Sequence, residues 1–184
     1  MKKIAIIGGG ASGLACAIEI FKTIKNEDEI SVTIIEKLPR VGKKLLVTGN
    51  GRCNLTNMNS ANSGYRGDTA FADYALKYFT PEKNIEFFNS LSLYTREEDE
   101  GRVYPLSNQA SSVLDSLRFE CNRLGVSVAC DYRAVHLKTV DNGVMQKIVV
   151  NNRDRFDYVV VACGGKAAKV HGTDGDAYEL LKMM

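Results

Sequence analysis

The residues with the most legible chemistry lie near the N-terminus, where Gly8-Gly9-Gly10-Ala11-Ser12-Gly13 fits a G-x-G-x-x-G spacing. Gly8 permits a tight turn, Gly10 lets a pyrophosphate approach the backbone, and Gly13 lets a following helix pack closely on the preceding strand. Ala11 and Ser12 open that helix, whose first N–H groups would face the phosphate charge. Glu36 closes the next β-branched run, SVTIIE, and its carboxylate can accept hydrogen bonds from ribose hydroxyls. An ordinary glycine-rich turn and a solvated strand end are the competing readings.

Between Lys37 and Arg52 stand Lys37, Arg40, Lys43, Lys44 and Arg52 with no acid among them. A bound anionic cofactor accounts for that bias, as does a solvated basic loop. Thr48-Gly49-Asn50-Gly51-Arg52-Cys53-Asn54 joins two glycines to hydrogen-bonding side chains, which suits a backbone passing closely around a polar ring edge; a plain turn is the alternative. Ala162-Cys163-Gly164-Gly165 ends a second apolar strand in small residues and could bring backbone beside the same nucleotide.

Other chemistries find little support. The five cysteines include no C-x-x-C pair, so Cys53 and Cys163 read as small packing residues rather than a redox pair. Two histidines, far apart, do not make a zinc site, and Asp174-Gly175-Asp176 reads as a helix-opening turn, not a calcium loop. The formal net charge is +2, so no nucleic-acid partner is expected. No apolar run approaches the roughly 20 residues that span a bilayer, and a cytoplasmic location is expected.

The elements that must position these residues form an α/β chain. A strand over Lys3 to Ile7, a helix over Ser12 to Lys25 and a strand over Ser31 to Glu36 make a β-α-β unit. Residues 37 to 65 read as a long loop. Helices are expected over Thr69 to Phe79, over Pro81 to Leu91 with Thr80 as cap, and from Ser107 or Asn108 to Leu124. Ser92 to Arg96 should pair with Arg102 to Leu106 across a solvated acidic tip, Glu97 to Gly101. Val126 to Cys130, Ala134 to Leu137, Met145 to Val150 and Phe156 to Ala162 read as strands, with a turn at Asp141-Asn142-Gly143.

IIGGGASGLACAI, GKKLLVTGNGRCNLTN, GRVYPLSNQASSVLDSL and VVVACGGKAAKVHGTDGDAY, in this order, resemble the BaiN/YhiN-like FAD-dependent oxidoreductases, also called the aminoacetone-oxidase family. Ala-Cys-Gly-Gly stands where that family has Ala-Thr-Gly-Gly. The resemblance implies a Rossmann-like FAD/NAD(P)-binding fold with a central parallel sheet and a small β-hairpin or meander. FAD would be held by Gly8, Gly10, Ser12 and Gly13 at the pyrophosphate and by Glu36 at the adenosine ribose, with Ala11 and Lys37 as further cofactor-binding candidates. The stretch containing Lys43, Lys44 and Thr48 to Asn54 would lie towards the flavin. Backbone at Ala134 or Val135 would meet the adenine, and Ala162, Cys163, Gly164 and Gly165 would add backbone to the site.

NAD(P)H is one candidate electron donor and oxygen the other candidate redox partner, and the substrate is an unidentified small molecule for which steroid-like enones and amino-ketones are family-level candidates. Residues 1–184 would be the N-terminal part of the FAD-binding domain, without the inserted domain and the return segment that members of that family carry. No oligomeric state and no catalytic side chain are assigned. An NAD-binding dehydrogenase and a catalytically silent nucleotide-binding fragment are the alternatives.

Overall fold

The computed structural model describes residues 1–24, 29–60, 65, 69–141 and 146–184. In chain order come β1 (Lys2–Ile7), α1 (Ala11–Thr23), β2 (Ile30–Ile35), a 3-10 stretch (Leu45–Gly51), β3 (Thr56–Asn57), α2 (Thr69–Tyr78) and α3 (Pro81–Ser90). There follow β4 (Thr95–Glu98), β5 (Arg102–Pro105), α4 (Ala110–Arg123), β6 (Ser127–Ala129), β7 (Leu137–Asp141), β8 (Gln146–Val150), β9 (Asp154–Phe156), β10 (Tyr158–Val161) and α5 (Asp176–Leu181). Two compact units result, Met1–Leu45 with Leu117–Met184, and Leu46–Ser116.

The first unit is built on a parallel sheet of order β10-β1-β2-β6. Parallel strands covered on both faces must be apolar throughout, which is why β1 and β2 read as near-continuous runs. On one face, Leu14, Ala17, Ile18 and Phe21 of α1 are buried at helical spacing. On the other, Ala5, Ile7 and Ile35 pack with Leu137, Val150 and Phe156 of the antiparallel meander β7-β8-β9 and with Leu180 of α5. The strand order reverses about β1, so the C-terminal ends of β1, β2 and β10 meet at a topological switch point, where ligands of such sheets bind.

Phe156 to Ala162, read above as one strand, is two. Asp157 breaks it: its carboxylate accepts from the Lys3 N–H (2.8 Å) and the Lys147 ammonium (2.6 Å), sending β9 into the meander and β10 alongside β1. Lys147, with the Lys3 N–H, lowers the Asp157 pKa to about 2. A depressed acid stabilises the fold fully above its unfolded pKa and loses that contribution as pH falls through its folded one. Asp157→Asn should therefore melt roughly 2–4 °C lower than wild type at pH 7. The gap should close in melting curves taken as pH falls from about 4 towards 2, because only wild type then loses the ion pair.

Ala134 to His136 form no strand, since Asn151 Oδ1 accepts from the Val135 and His136 N–H groups at 2.8 and 3.2 Å and takes them out of any ladder. The strand begins only at Leu137. The Lys25 end of the first helix, the Asn142-Gly143 turn and Met145 lie outside the described residues.

The second unit holds an antiparallel sheet of order β3-β5-β4 with α2 and α3. The loop expected over residues 37 to 65 thus contains the 3-10 stretch and β3. Thr80 caps α3 by accepting from the Lys83 N–H, with Pro81 in the first turn. The hairpin is displaced relative to the sequence reading. Glu97 and Glu98 lie in β4 and only Asp99–Gly101 form the tip, because Arg52 and Arg96 bind Glu98 and draw it out of solvent. The last long helix starts at Ala110, after Asn108 adopts a left-handed φ of 56° and the Ser107 hydroxyl accepts from the Gln109 N–H.

Candidate dinucleotide site

The glycine turn is built as its spacing requires. Gly8 has φ +113°, and a Cβ there would come within 2.6 Å of the Ala162 carbonyl oxygen. Its N–H donates to Ile35 and the Ala162 N–H donates to Ile7, both at 2.8 Å, so three strand ends are bound through this turn. A Cβ at Gly13 would collide with the Gly8 carbonyl oxygen, so α1 can rest on the turn only with glycine there. At Gly10 the situation is opposite: φ is −79° and a Cβ would meet nothing within 4 Å. Gly10 caps α1 without any side-chain bond, so no cap side chain takes up the first-turn N–H groups that a helix start leaves without intrahelical acceptors. The Ser12 hydroxyl donates to the Ala162 carbonyl at 3.4 Å.

Glu36 is buried, 8% exposed. Its Oε2 accepts from the Gly9 N–H at 2.7 Å and its Oε1 from the Leu38 N–H at 2.8 Å. The segment after β2 is thereby folded around the turn, with the Gly42 N–H donating to the Gly9 carbonyl at 2.8 Å. Each carboxylate oxygen retains a second lone pair for a ribose hydroxyl. The sequence reading gave Glu36 the ribose and missed its hold on Gly9. The one sign in the sequence was a glycine at position 9, outside the G-x-G-x-x-G requirement, and the structure gives its reason: a Cβ there would meet Val41 and Glu36.

The basic residues divide. The Lys37 ammonium lies 2.5 Å from Asp174 and 2.9 Å from Asp176, and Arg133 joins Asp176 at 2.6 Å. Burial opposes the Lys37 charge, but the two aspartates outweigh it and raise its pKa, while Lys37 lowers that of Asp174. Lys37 and the Asp174-Gly175-Asp176 turn therefore satisfy one another, where the sequence reading had Lys37 answering an anionic cofactor. Lys43 and Lys44 are exposed.

In the second unit Gly49, Asn50 and Gly51 have φ of 54, 55 and 81°, and buried Cys53 has φ 60°. The Arg52 N–H donates to Gly49 and the Cys53 N–H to Thr48, closing a left-handed turn whose Gly49 to Gly51 backbone is exposed, as is Asn54. Arg52 donates from Nε and Nη2 to Asn108 Oδ1 and from Nη2 to Glu98, and its guanidinium lies 3.9 Å over the Tyr104 ring. Burial raises the thiol pKa of both Cys53 and Cys163, as packing cysteines require.

The open cradle at Gly10, the uncapped helix start and the buried acid at the end of β2, set on a parallel sheet, are the features of an α/β protein of the Rossmann type. The HI0933-like protein Rossmann domain matches residues 2–184, and the chain belongs to this family, the BaiN/YhiN-like group of FAD-dependent oxidoreductases. Over its whole length it is 42% identical to the 3-dehydro-bile acid delta(4,6)-reductase of Clostridium scindens, of which it covers 44%. It is 26% identical to a ribosomal RNA dihydrouridine synthase of Haemophilus influenzae, over 95% of this chain and 43% of that one. The chain thus spans less than half the length of these relatives.

Two solved structures share the fold. Thermovibrio ammonificans THI4 aligns with a TM-score of 0.58 at 15% identity, over 89% of this chain and 57% of that one. The open conformation of a flavocytochrome c3 fumarate reductase aligns at 0.50 and 17%, over 89% and 33%. Among the described residues no helix is long and apolar enough to cross a membrane.

Proposed function

We propose that this protein binds FAD and takes part in reducing a carbon–carbon double bond conjugated to a carbonyl, with NAD(P)H as electron donor. The observation that carries the cofactor assignment is the cradle at Gly10, open space at the uncapped start of α1 that any side chain there would narrow, where a helix N-terminus favours a phosphate. Its residues fit a pyrophosphate by chemistry as well as by room, since a helix start offers backbone donors and both oxygens of the neighbouring Glu36 are held by backbone N–H groups.

FAD, when bound, supplies hydride chemistry that no side chain here possesses. The chain's part is to hold and orient. Gly8, Gly10, Ala11, Ser12 and Gly13 receive the pyrophosphate, and Glu36 accepts from the ribose. Ala134 and Val135 offer backbone to the adenine, Val135 through its carbonyl because its N–H is held by Asn151. Ala162 to Gly165 back the turn, and Thr48 to Asn54 with Lys43 and Lys44 belong to the flavin share on the family pattern.

The substrate class rests on the relatives. A bile acid delta(4,6)-reductase and a dihydrouridine synthase both, by their names, act where hydrogen is added across a double bond, and the former is the more similar. A cytoplasmic location goes with such a cofactor pair.

The protein should purify yellow, release FAD on denaturation, and have its flavin bleached anaerobically by NAD(P)H and restored by a conjugated steroid ketone. A colourless protein that takes up NAD but no FAD overturns the assignment. Bleaching without reoxidation by any unsaturated ketone or by uridine-containing RNA removes the substrate class while leaving the cofactor.

A further inference from the structure

Arg52 sits in the most distinctive block of the sequence, and a lone arginine beside a cofactor loop invites the reading that it answers phosphate charge. The geometry points elsewhere. We infer that Arg52 is a positioning residue, a clasp that holds the left-handed Gly49-Asn50-Gly51 run in the shape the cofactor meets, and that Glu98, Asn108 and Tyr104 are the parts that close it. This rests on the FAD reading above.

Three observations bear on it. The whole Nε–Nη2 edge of the guanidinium is engaged inside the unit, by Asn108 Oδ1 at 3.1 and 2.7 Å and by Glu98 Oε1 at 2.5 Å. Its face lies on Tyr104, which is itself 7% exposed. Glu98 offsets part of the charge, since its Oε1 is shared with Arg96: Arg52, with Arg96, holds the Glu98 carboxyl below its usual range, and Glu98 raises Arg52 in return. The Nε–Nη2 edge so engaged is turned to the protein's own acceptors.

The loop needs holding. Left-handed backbone is costly outside glycine, and Asn50, Cys53 and Asn108 all adopt it. Conformations of this kind persist only where the surroundings over-determine them. Tyr104 does so from beneath: its ring lies under Arg52, and a Cβ added to Gly49 would come within 3.3 Å of it. Glu98 and Tyr104 lie on adjacent strands of one hairpin, β4 and β5, so the hairpin is the loop's support. The displacement of Glu98 from the solvated tip into β4 thereby acquires a purpose.

The two roles predict opposite signs. If Arg52 is a clasp, Glu98→Ala and Arg52→Lys both weaken FAD binding, each by about tenfold, the size of one lost charge-assisted bond. Glu98→Gln, which keeps an acceptor oxygen for Nη2, should restore most of the affinity. If Arg52 instead serves as a free positive charge, Arg52→Lys retains FAD and Glu98→Ala binds it as well as wild type or better; either result overturns the inference.

Amide hydrogen exchange of residues 49–53, measured without FAD, gives a second reading. It should quicken about tenfold in both weakened variants while exchange in β1 stays unchanged, the mark of local opening rather than lost fold. Unchanged exchange at 49–53 also overturns the clasp. Should Glu98→Ala not fold, Asn108→Ala carries the same test. A wild-type protein that takes up no FAD overturns the functional reading alone, because the exchange arm still decides Arg52.

Discussion

Gly10→Val should give a folded protein that no longer retains FAD. The two halves of that result follow from one feature of the turn. At φ −79° and ψ −173° Gly10 occupies extended backbone open to any residue, and a Cβ there meets nothing within 4 Å, so apo stability should stay within about 0.5 kcal/mol of wild type. The space a valine would fill is the space the pyrophosphate needs to reach the first N–H groups of α1. Affinity should fall by at least about a hundredfold, close to 3 kcal/mol.

Gly8→Val and Gly13→Val cannot make this separation. One would drive a side chain into Ala162 and the other into the Gly8 carbonyl, so both lose the fold and the cofactor together. Measured as FAD per protein and as the melting temperature of the apo form, Gly10→Val should change only the first. An unchanged FAD ratio would mean that the pyrophosphate does not lie on this turn.

That contrast shows what the sequence made legible. Spacing alone assigned distinct jobs to Gly8, Gly10 and Gly13, because each job is a local steric demand that a G-x-G-x-x-G pattern encodes. The parallel strands β1 and β2, α1 and the capped α3 were equally plain, since their signals lie within a single element. What could not be read were partnerships between distant residues. Nothing near Lys37 announces that Asp174 and Asp176 will bind it, and nothing near Arg52 announces Glu98 and Asn108. The basic loop therefore looked like an answer to an anion from outside, when two of its five cations answer acids of the same chain. Asp157 misled in the same way, for a single aspartate within an apolar run gives no sign that it will accept from Lys3 and Lys147 and split the run into two strands.

Glu36→Ala should lose stability before it loses affinity. The sequence assigned this carboxylate a ribose, so truncation would be expected to weaken FAD and leave the apo protein unaffected. The structure assigns it prior work: Oε2 satisfies the Gly9 N–H and Oε1 the Leu38 N–H, in a site where the acid is 8% exposed. Removing it leaves the buried Gly9 N–H and the part-buried Leu38 N–H without their acceptor; at roughly 1–3 kcal/mol for a fully buried unsatisfied group, and less for the part-buried one that water can reach, the apo protein should lose about 2–4 kcal/mol in urea unfolding. Glu36→Gln should fall between, because its amide offers one acceptor oxygen and turns an NH2 towards the other donor. Apo stability equal to wild type in Glu36→Ala would show that water replaces both bonds and that the acid acts on the ribose alone. The expected result, loss in both stability and affinity, makes the ribose acceptor and the clamp on the glycine turn one residue, so that the turn is already in its binding shape before the dinucleotide arrives.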